Sequence, residues 1–215
     1  MIGTSEVQKI DDAAVQVAPH VHLTWSGDGI QALFPLLAHG VILKTASGAS
    51  VTSTLCDKLA VTEEYVYKRI RAVFLNGKTV ANLDSARVDT GSTLTLSGVI
   101  PEPFLRHAVG WRPPRHAEDS GAVPSNAEPV PEGTEALFEL KVFNILACEI
   151  GPSLLTSGVW ISPQLMDAFF HGRGPGFWAK LIRASINDQE LDGSFLSQKK
   201  WSGTLGLIRL TADSR

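Results

Sequence analysis

Three histidines near the start of the chain have residue types and spacing that suit a metal site. His20 and His22 stand two positions apart in HVHLTW, so on a strand both imidazoles project from the same face. Neutral imidazole is a frequent metal ligand, and His39 would complete a set of three. The pattern would suit a metal-dependent enzyme that uses His20, His22 and His39, which we keep as an alternative. The alternative is a solvated strand face, because two histidines at this spacing are common in proteins.

A glycine-rich segment in the second half, HGRGPG, suggests an anion site around Arg173. The glycines at 172, 174 and 176 resemble a phosphate-binding loop at first. However, no G-K-[ST] follows them, and no G-x-G-x-x-G opens a helix directly after a strand. We therefore expect a tight loop that presents Arg173, whose side chain can still meet an anion.

Aromatic residues are concentrated in the same half: Trp160, Phe169, Phe170, Phe177 and Trp178. Such residues either pack in a core or line an apolar groove for a partner or a small ligand. The two interpretations differ in the exposure of the rings, which a sequence does not show. The residues predicted to bind a ligand or partner are Trp160, Arg173, Phe177 and Trp178.

Recognisable catalytic motifs are missing from the sequence. It contains no G-x-S-x-G and no H-E-x-x-H, and no Ser-His-Asp order in a matching context. Cys56 and Cys148 are far apart and form no C-x-x-C pair, so each is expected to behave as a small buried hydrophobe. We predict no cofactor, and the missing motifs argue against an enzyme.

Composition narrows the class of protein further. The 215 residues are 44% apolar and 19% charged, with a formal net charge of −3, which is typical of a globular chain. A net negative charge with no basic stripe argues against nucleic-acid binding. Every apolar run is interrupted by Pro, Gly, Ser or His, and the polar amino terminus lacks a signal sequence. We expect a cytoplasmic protein that neither spans nor binds a membrane.

Short-range signals predict several of the elements that must position these residues. Residues 20–25 alternate as a strand does, and Thr62 followed by Glu63 and Glu64 marks the start of a helix. Asn76-Gly77 predicts a type I′ hairpin turn, since both residues tolerate positive φ. A further strand is expected at 93–97, and a last one near 204–210.

The stretch 51–100 resembles a known family. Its apolar strand ends in Asn76-Gly77, and a D-x-G-S-x-L-x-L segment and a closing Ile100-Pro101 follow. In this order it is similar to the second half of the β-grasp sulfur carriers of molybdopterin and thiamine synthesis. Those carriers act through a free C-terminal Gly-Gly. Here Ile100-Pro101-Glu102-Pro103 takes that place, so the resemblance implies a ubiquitin-like fold and a non-carrier role in sulfur transfer.

The two halves share an order of letters that predicts a tandem repeat. Residues 36–41 match 154–159, 55–57 match 165–167, 71–72 match 183–184, and 93–96 match 204–207. Seven of the twelve prolines fall in the stretch between the halves, which is typical of a linker. The predicted fold is α+β, with an N-terminal arm (1–18), a β-grasp-like domain (19–100), a Pro-rich linker (101–134) and a second α+β domain (135–215).

The function predicted on these grounds is a non-catalytic binding or adaptor protein that contacts a protein partner. A metal-dependent enzyme and a non-carrier component of a sulfur-transfer pathway remain as alternatives. The oligomeric state is open.

Overall fold

The computed structural model describes residues 18–99 and 134–215. The predicted arm and the predicted linker lie outside the described residues, except for positions 18 and 134. The chain forms two compact units, and each takes segments from both sides of 100–133. The described part of unit A is 43–99 and 134–147, and that of unit B is 18–42 and 148–215. The sequence predicts two consecutive domains, 19–100 and 135–215. Whether each of these segments folds on its own remains a prediction.

The described residues alternate between strands and helices. The strands are β1 (His20–Trp25), β2 (Val41–Ala46), β3 (Ala49–Ser50), β4 (Ala72–Leu75), β5 (Lys78–Thr79), β6 (Arg87–Val88), β7 (Thr93–Ser97), β8 (Glu135–Phe143), β9 (Val159–Ile161), β10 (Leu181–Ile186), β11 (Gln189–Leu191) and β12 (Ile208–Ser214). The helices are a 3₁₀ helix (Gly27–Leu33), α1 (Phe34–His39), α2 (Val51–Leu59), α3 (Glu63–Arg69), α4 (Ile145–Ser157), α5 (Pro163–Phe170), α6 (Pro175–Trp178) and α7 (Gly193–Gln198). The predicted α+β class is confirmed, with parallel and antiparallel strand pairs.

Unit A follows the local sequence signals closely. The Thr62 side chain accepts a hydrogen bond from the backbone N–H of Tyr65 at 3.2 Å, and α3 begins directly after it. Asn76 and Gly77 have φ of 52° and 76°, and they join β4 to β5 as the predicted hairpin. The strands run in the order β2-β8-β7-β4-β5, with β7 parallel to β8. A small separate sheet pairs β3 with β6.

Unit B is built around two parallel neighbours, β1 and β12. The strand order is β11-β10-β1-β12-β9, and Ile42 of β2 pairs with Trp160 of β9. Alternation assigns opposite faces to neighbouring residues of β1: Val21 and Leu23 are fully buried, while His20 and His22 are half-buried. One side of this sheet therefore belongs to the apolar core, and the other side is polar.

The end of unit B differs from its prediction. The last strand was expected near 204–210, but it is β12, which begins at Ile208. Gly206 has a φ of +79°, a left-handed conformation that interrupts an extended chain. The sequence similarity between 93–96 and 204–207 therefore relates a strand, β7, to a loop, because 204–207 precede β12.

One carboxylate ties this last segment to α5. Asp167 accepts the backbone N–H of Trp201 at 2.6 Å through one oxygen and that of Ser202 at 2.9 Å through the other. The Trp201 side chain is fully buried. Burial raises the pKa of Asp167, but the two N–H donors outweigh it, so that the pKa lies below its ordinary value.

Candidate binding site

An aromatic cluster lies where α5 ends and α6 begins. Phe169 and Phe170, at the end of α5, are buried, whereas Phe177 and Trp178, in α6, are half-buried. The ring centroids of Phe177 and Trp178 are 4.7 Å apart in an edge-on arrangement, and Trp178 stacks on Phe170 at 5.8 Å. The buried ring of Trp25 packs edge-on against Phe177, and the two ring centroids are 5.6 Å apart. The cluster joins the core through Phe169 and Phe170 and reaches the surface through Phe177 and Trp178.

The loop between the two helices has one glycine that its backbone needs. Gly172 has a φ of +71°, which L side chains adopt only with strain. Gly174 and Gly176 have φ values open to other residues, and an added Cβ would meet nothing within 4 Å at either. Of the three glycines, only Gly172 is required by the backbone of the turn. The segment therefore does not have the features of a phosphate-binding loop.

Arg173 is the predicted site residue that the structure holds most firmly. Its Nε donates to the carbonyl oxygen of Phe169 at 2.6 Å, and its Cζ lies 4.3 Å from the Phe169 ring centroid. The same carbon lies 5.0 Å from the centroid of Phe177. Trp178 Nε1 donates to the Arg173 carbonyl at 3.1 Å, which ties the loop to α6. Arg173 is an exposed residue, and two rings and a hydrogen bond set the orientation of its guanidinium.

Next to Arg173 a cleft opens between α6 and α7, over β10 and β11. Its volume is about 510 Å³, which lies within the range of roughly 300–1,000 Å³ found for ligand sites. The apolar side of the cleft is formed by Trp178, Leu181 and Ile182. Ile182 is 56% exposed and borders the cleft.

The other charged residues of the cleft already have partners. Arg183 Nη2 lies 3.3 Å from Glu190 Oε2 across the β10–β11 hairpin. Asp192 accepts the backbone N–H of Ser194 at 2.7 Å, and hydrogen bonds from Ser194 hold the pKa of Asp192 below its ordinary value. Among residues 18–99 and 134–215, no carboxylate lies within ion-pair distance of Arg173.

Gly193 lets α7 approach closely enough to form the second wall. A Cβ at this position would lie 2.5 Å from Leu181 Cδ2 and 3.3 Å from Trp178 Cε3. Any larger residue would push α7 away from the floor of the cleft. Sequence reasoning missed Gly193 and Ile182 as site residues. Neither carries a local signal, because their role depends on elements that meet only in three dimensions.

Trp160 is the predicted binding residue that stands apart. It lies half-buried on β9, opposite Arg209 of β12, and it does not line the cleft. The structure thus brings Arg173, Phe177 and Trp178 together and leaves Trp160 on the sheet.

The two strand histidines meet around one hydroxyl. His20 Nε2 lies 2.7 Å and His22 Nδ1 lies 2.9 Å from Thr211 Oγ1 of β12. His22 Nε2 is 3.7 Å from a carboxylate oxygen of Asp213. Burial, followed by the positive charge of Arg209, lowers the pKa of His20. The two imidazoles share the buried hydroxyl of Thr211 and make a polar network on the sheet.

His39, the predicted third ligand, ends α1 and does not join that network. In the part of the chain that the structure describes, no three His, Cys, Asp or Glu residues form a group that could hold a metal ion. Cys56 and Cys148 are free thiols, and Cys148 is exposed where burial was expected. Burial, with Glu63 and Asp57 nearby, raises the pKa of Cys56, which keeps its thiol protonated.

Comparisons of the chain with protein-family models, with curated proteins and with solved structures found no match. The helices of the described residues include none with the length and apolar character needed to cross a membrane.

Proposed function

We propose that the chain is a non-catalytic binding protein that holds an anionic group of a protein partner in the cleft beside Arg173. The observation that carries this proposal is the state of Arg173, whose guanidinium is oriented by Phe169 and Phe177 and has no carboxylate partner in the described chain. An oriented arginine loses little conformational entropy when it binds a carboxylate, so more of the interaction energy remains for affinity.

The surroundings of Arg173 support a protein partner. Tryptophan and arginine are the residues that most often dominate the energy of protein interfaces, and Trp178 and Arg173 are adjacent here. The exposed Ile182 adds apolar surface that a partner would remove from water. Aromatic residues and arginine are enriched in protein interfaces, and both occur here.

Site-specific crosslinking in the host cell tests the proposal. A photoreactive amino acid replaces Ile182 in the cleft, or Leu205, which is 94% exposed outside it, as the control. We expect a discrete crosslinked protein from position 182 that is absent from position 205. Arg173→Gln should abolish it, whereas Lys78→Gln, which removes an exposed charge in unit A, should not. Equal products from positions 182 and 205, or a product that persists in Arg173→Gln, would refute the proposal.

For the fold, we also propose that the halves are two β-grasp-like repeats. The element order supports this, since β1, α1, β2, α2, α3 and the β4–β5 hairpin have counterparts in β8, α4, β9, α5, α6 and the β10–β11 hairpin. Gly40 and Gly158, both with positive φ, end matching helices, and Ser50 and Ser162 cap the next ones. An experimental structure in which the halves do not superpose would overturn the repeat.

A further inference from the structure

We infer that the anionic group recognised by Arg173 is the C-terminal carboxylate of a partner polypeptide whose last residue is apolar. The inference rests on the proposed function and identifies the chemistry that the cleft selects.

Arg173 uses one of its nitrogen donors within the protein and keeps its two terminal nitrogens for a carboxylate. Nε is already used by the Phe169 carbonyl, and the stacked ring of Phe169 covers one face of the guanidinium. The two terminal nitrogens form a planar pair, and such a pair binds the two oxygens of one carboxylate in parallel. This geometry suits an anion with two parallel oxygens, such as a carboxylate.

The charge balance of the cleft disfavours more highly charged ligands. Arg183 is neutralised by Glu190, and the carboxylate of Asp192 lines the same space. A phosphate dianion or an acidic peptide run would meet the charge of Arg173 and also the carboxylate of Asp192, whose repulsion grows with the charge of the ligand. A single negative charge matches Arg173, which has no carboxylate partner among residues 18–99 and 134–215.

The apolar wall indicates which carboxylate fits. At a chain terminus, the carboxylate and the last side chain are attached to the same Cα, so both enter the site together. The last side chain would then contact Trp178, Leu181 and Ile182 while the carboxylate meets Arg173. An internal Asp or Glu carries its carboxylate at the tip of its own side chain, so no apolar side chain shares the Cα from which the carboxylate reaches Arg173. A terminal apolar residue therefore contacts the cation with its carboxylate and the apolar wall with its side chain.

Binding of synthetic peptide pools tests the inference directly. Three pools of short random peptides are immobilised: one ends in Leu, Val or Phe with a free carboxylate, one is identical but amidated, and one is amidated with an internal Asp or Glu. We expect the whole protein to bind the first pool at least about tenfold more tightly than the other two. Arg173→Gln should reduce that binding about tenfold or more. Lys78→Gln, the charge-matched control, should leave it unchanged.

The alternatives have distinct outcomes. Equal binding of the free and amidated pools, or preference for the internal acid, overturns the terminal carboxylate. If no pool binds but crosslinking from position 182 still captures a partner, this inference fails and the proposed function stands. If crosslinking fails as well, both are wrong. The comparison of free with amidated peptides uses the unaltered protein, so it does not depend on whether a variant folds.

Discussion

Replacement of Asp167 by asparagine should loosen the last segment of unit B. Asp167 of α5 holds the backbone N–H groups of Trp201 and Ser202 at 2.6 and 2.9 Å. Asparagine keeps one acceptor oxygen, but its amide group would point a donor at the second N–H. Two charge-assisted hydrogen bonds become one neutral bond and one unfavourable contact.

The magnitude follows from the strength of those bonds. A hydrogen bond to a charged group contributes about 1.5–3 kcal/mol, and a neutral one about 1 kcal/mol. Because the carboxylate is partly exposed, solvent screening reduces the difference, and we expect Asp167→Asn to lower the free energy of unfolding by about 1.5 kcal/mol. Asp28→Asn is the matched control, since it breaks only the exposed ion pair with Lys180 and should change stability little.

The effect should depend on pH in a defined direction. The pKa of Asp167 in the folded protein lies below the ordinary value of 3.8. The unfolded chain therefore binds a proton first as the pH falls, so the carboxylate's contribution is complete above pH 3.8 and is lost as the pH drops through the folded pKa. Wild type and variant should differ near neutrality and converge in acid.

Urea denaturation followed by tryptophan fluorescence measures the difference, and amide hydrogen exchange at Trp201 and Ser202 localises it. The variant should exchange these two amides faster than wild type while the amides of β7 in unit A are unaffected. If Asp167→Asn matches Asp28→Asn at neutral pH, or if its deficit is unchanged in acid, then the carboxylate does not hold this segment.

Three further predictions concern helix packing, a histidine and a turn. Gly151→Ala would place a Cβ 2.9 Å from the buried ring of Phe34. Overpacking should lower the free energy of unfolding by about 1–3 kcal/mol, which exceeds the gain of about 1 kcal/mol from the higher helix propensity of alanine. Thermal melts should thus show a lower Tm for Gly151→Ala and an unchanged or higher Tm for Gly176→Ala, which has open space; the opposite order would contradict the packing. Burial lowers the pKa of His20, so the unfolded chain takes up the proton first and stability should fall as the pH drops below 6.5. A denaturation series across that range should show a smaller decline in His20→Gln, and an equal decline would contradict this. Gly77→Ala, at a φ of +76°, should cost about 1 kcal/mol in urea denaturation, and no loss would argue against the type I′ turn.

Features governed by neighbouring residues could be predicted from the sequence. Asn76-Gly77 dictates its own turn, and Thr62 caps the helix that starts beside it, so these signals needed no tertiary information. Residues 20–25 alternate clearly enough to predict β1. In each case the side chains that decide the conformation are within a few positions of one another.

The candidate site could be predicted only in part, because it depends on distant pairings. Arg173 and Trp178 were found through their loop and their aromatic character. The wall at Gly193 and the exposure of Ile182 depend on how α7 and β10 pack, which no local pattern encodes. For His39, sequence proximity to His20 was a poor guide, since the end of α1 does not bring its imidazole to the strand pair.

The exchange of segments between the two halves has a consequence for the order of folding during synthesis. The backbone N–H of His20 in β1 bonds the side chain of Asn187, 167 positions later, and its imidazole bonds Thr211, 191 positions later. When β1 leaves the ribosome, neither of its strand partners exists yet. Contacts of such sequence separation form slowly, and an unpaired apolar strand can associate with other chains in the meantime. Unit B must therefore be the later of the two to mature, and β1 is the segment that a chaperone would have to protect while β12 is still being made.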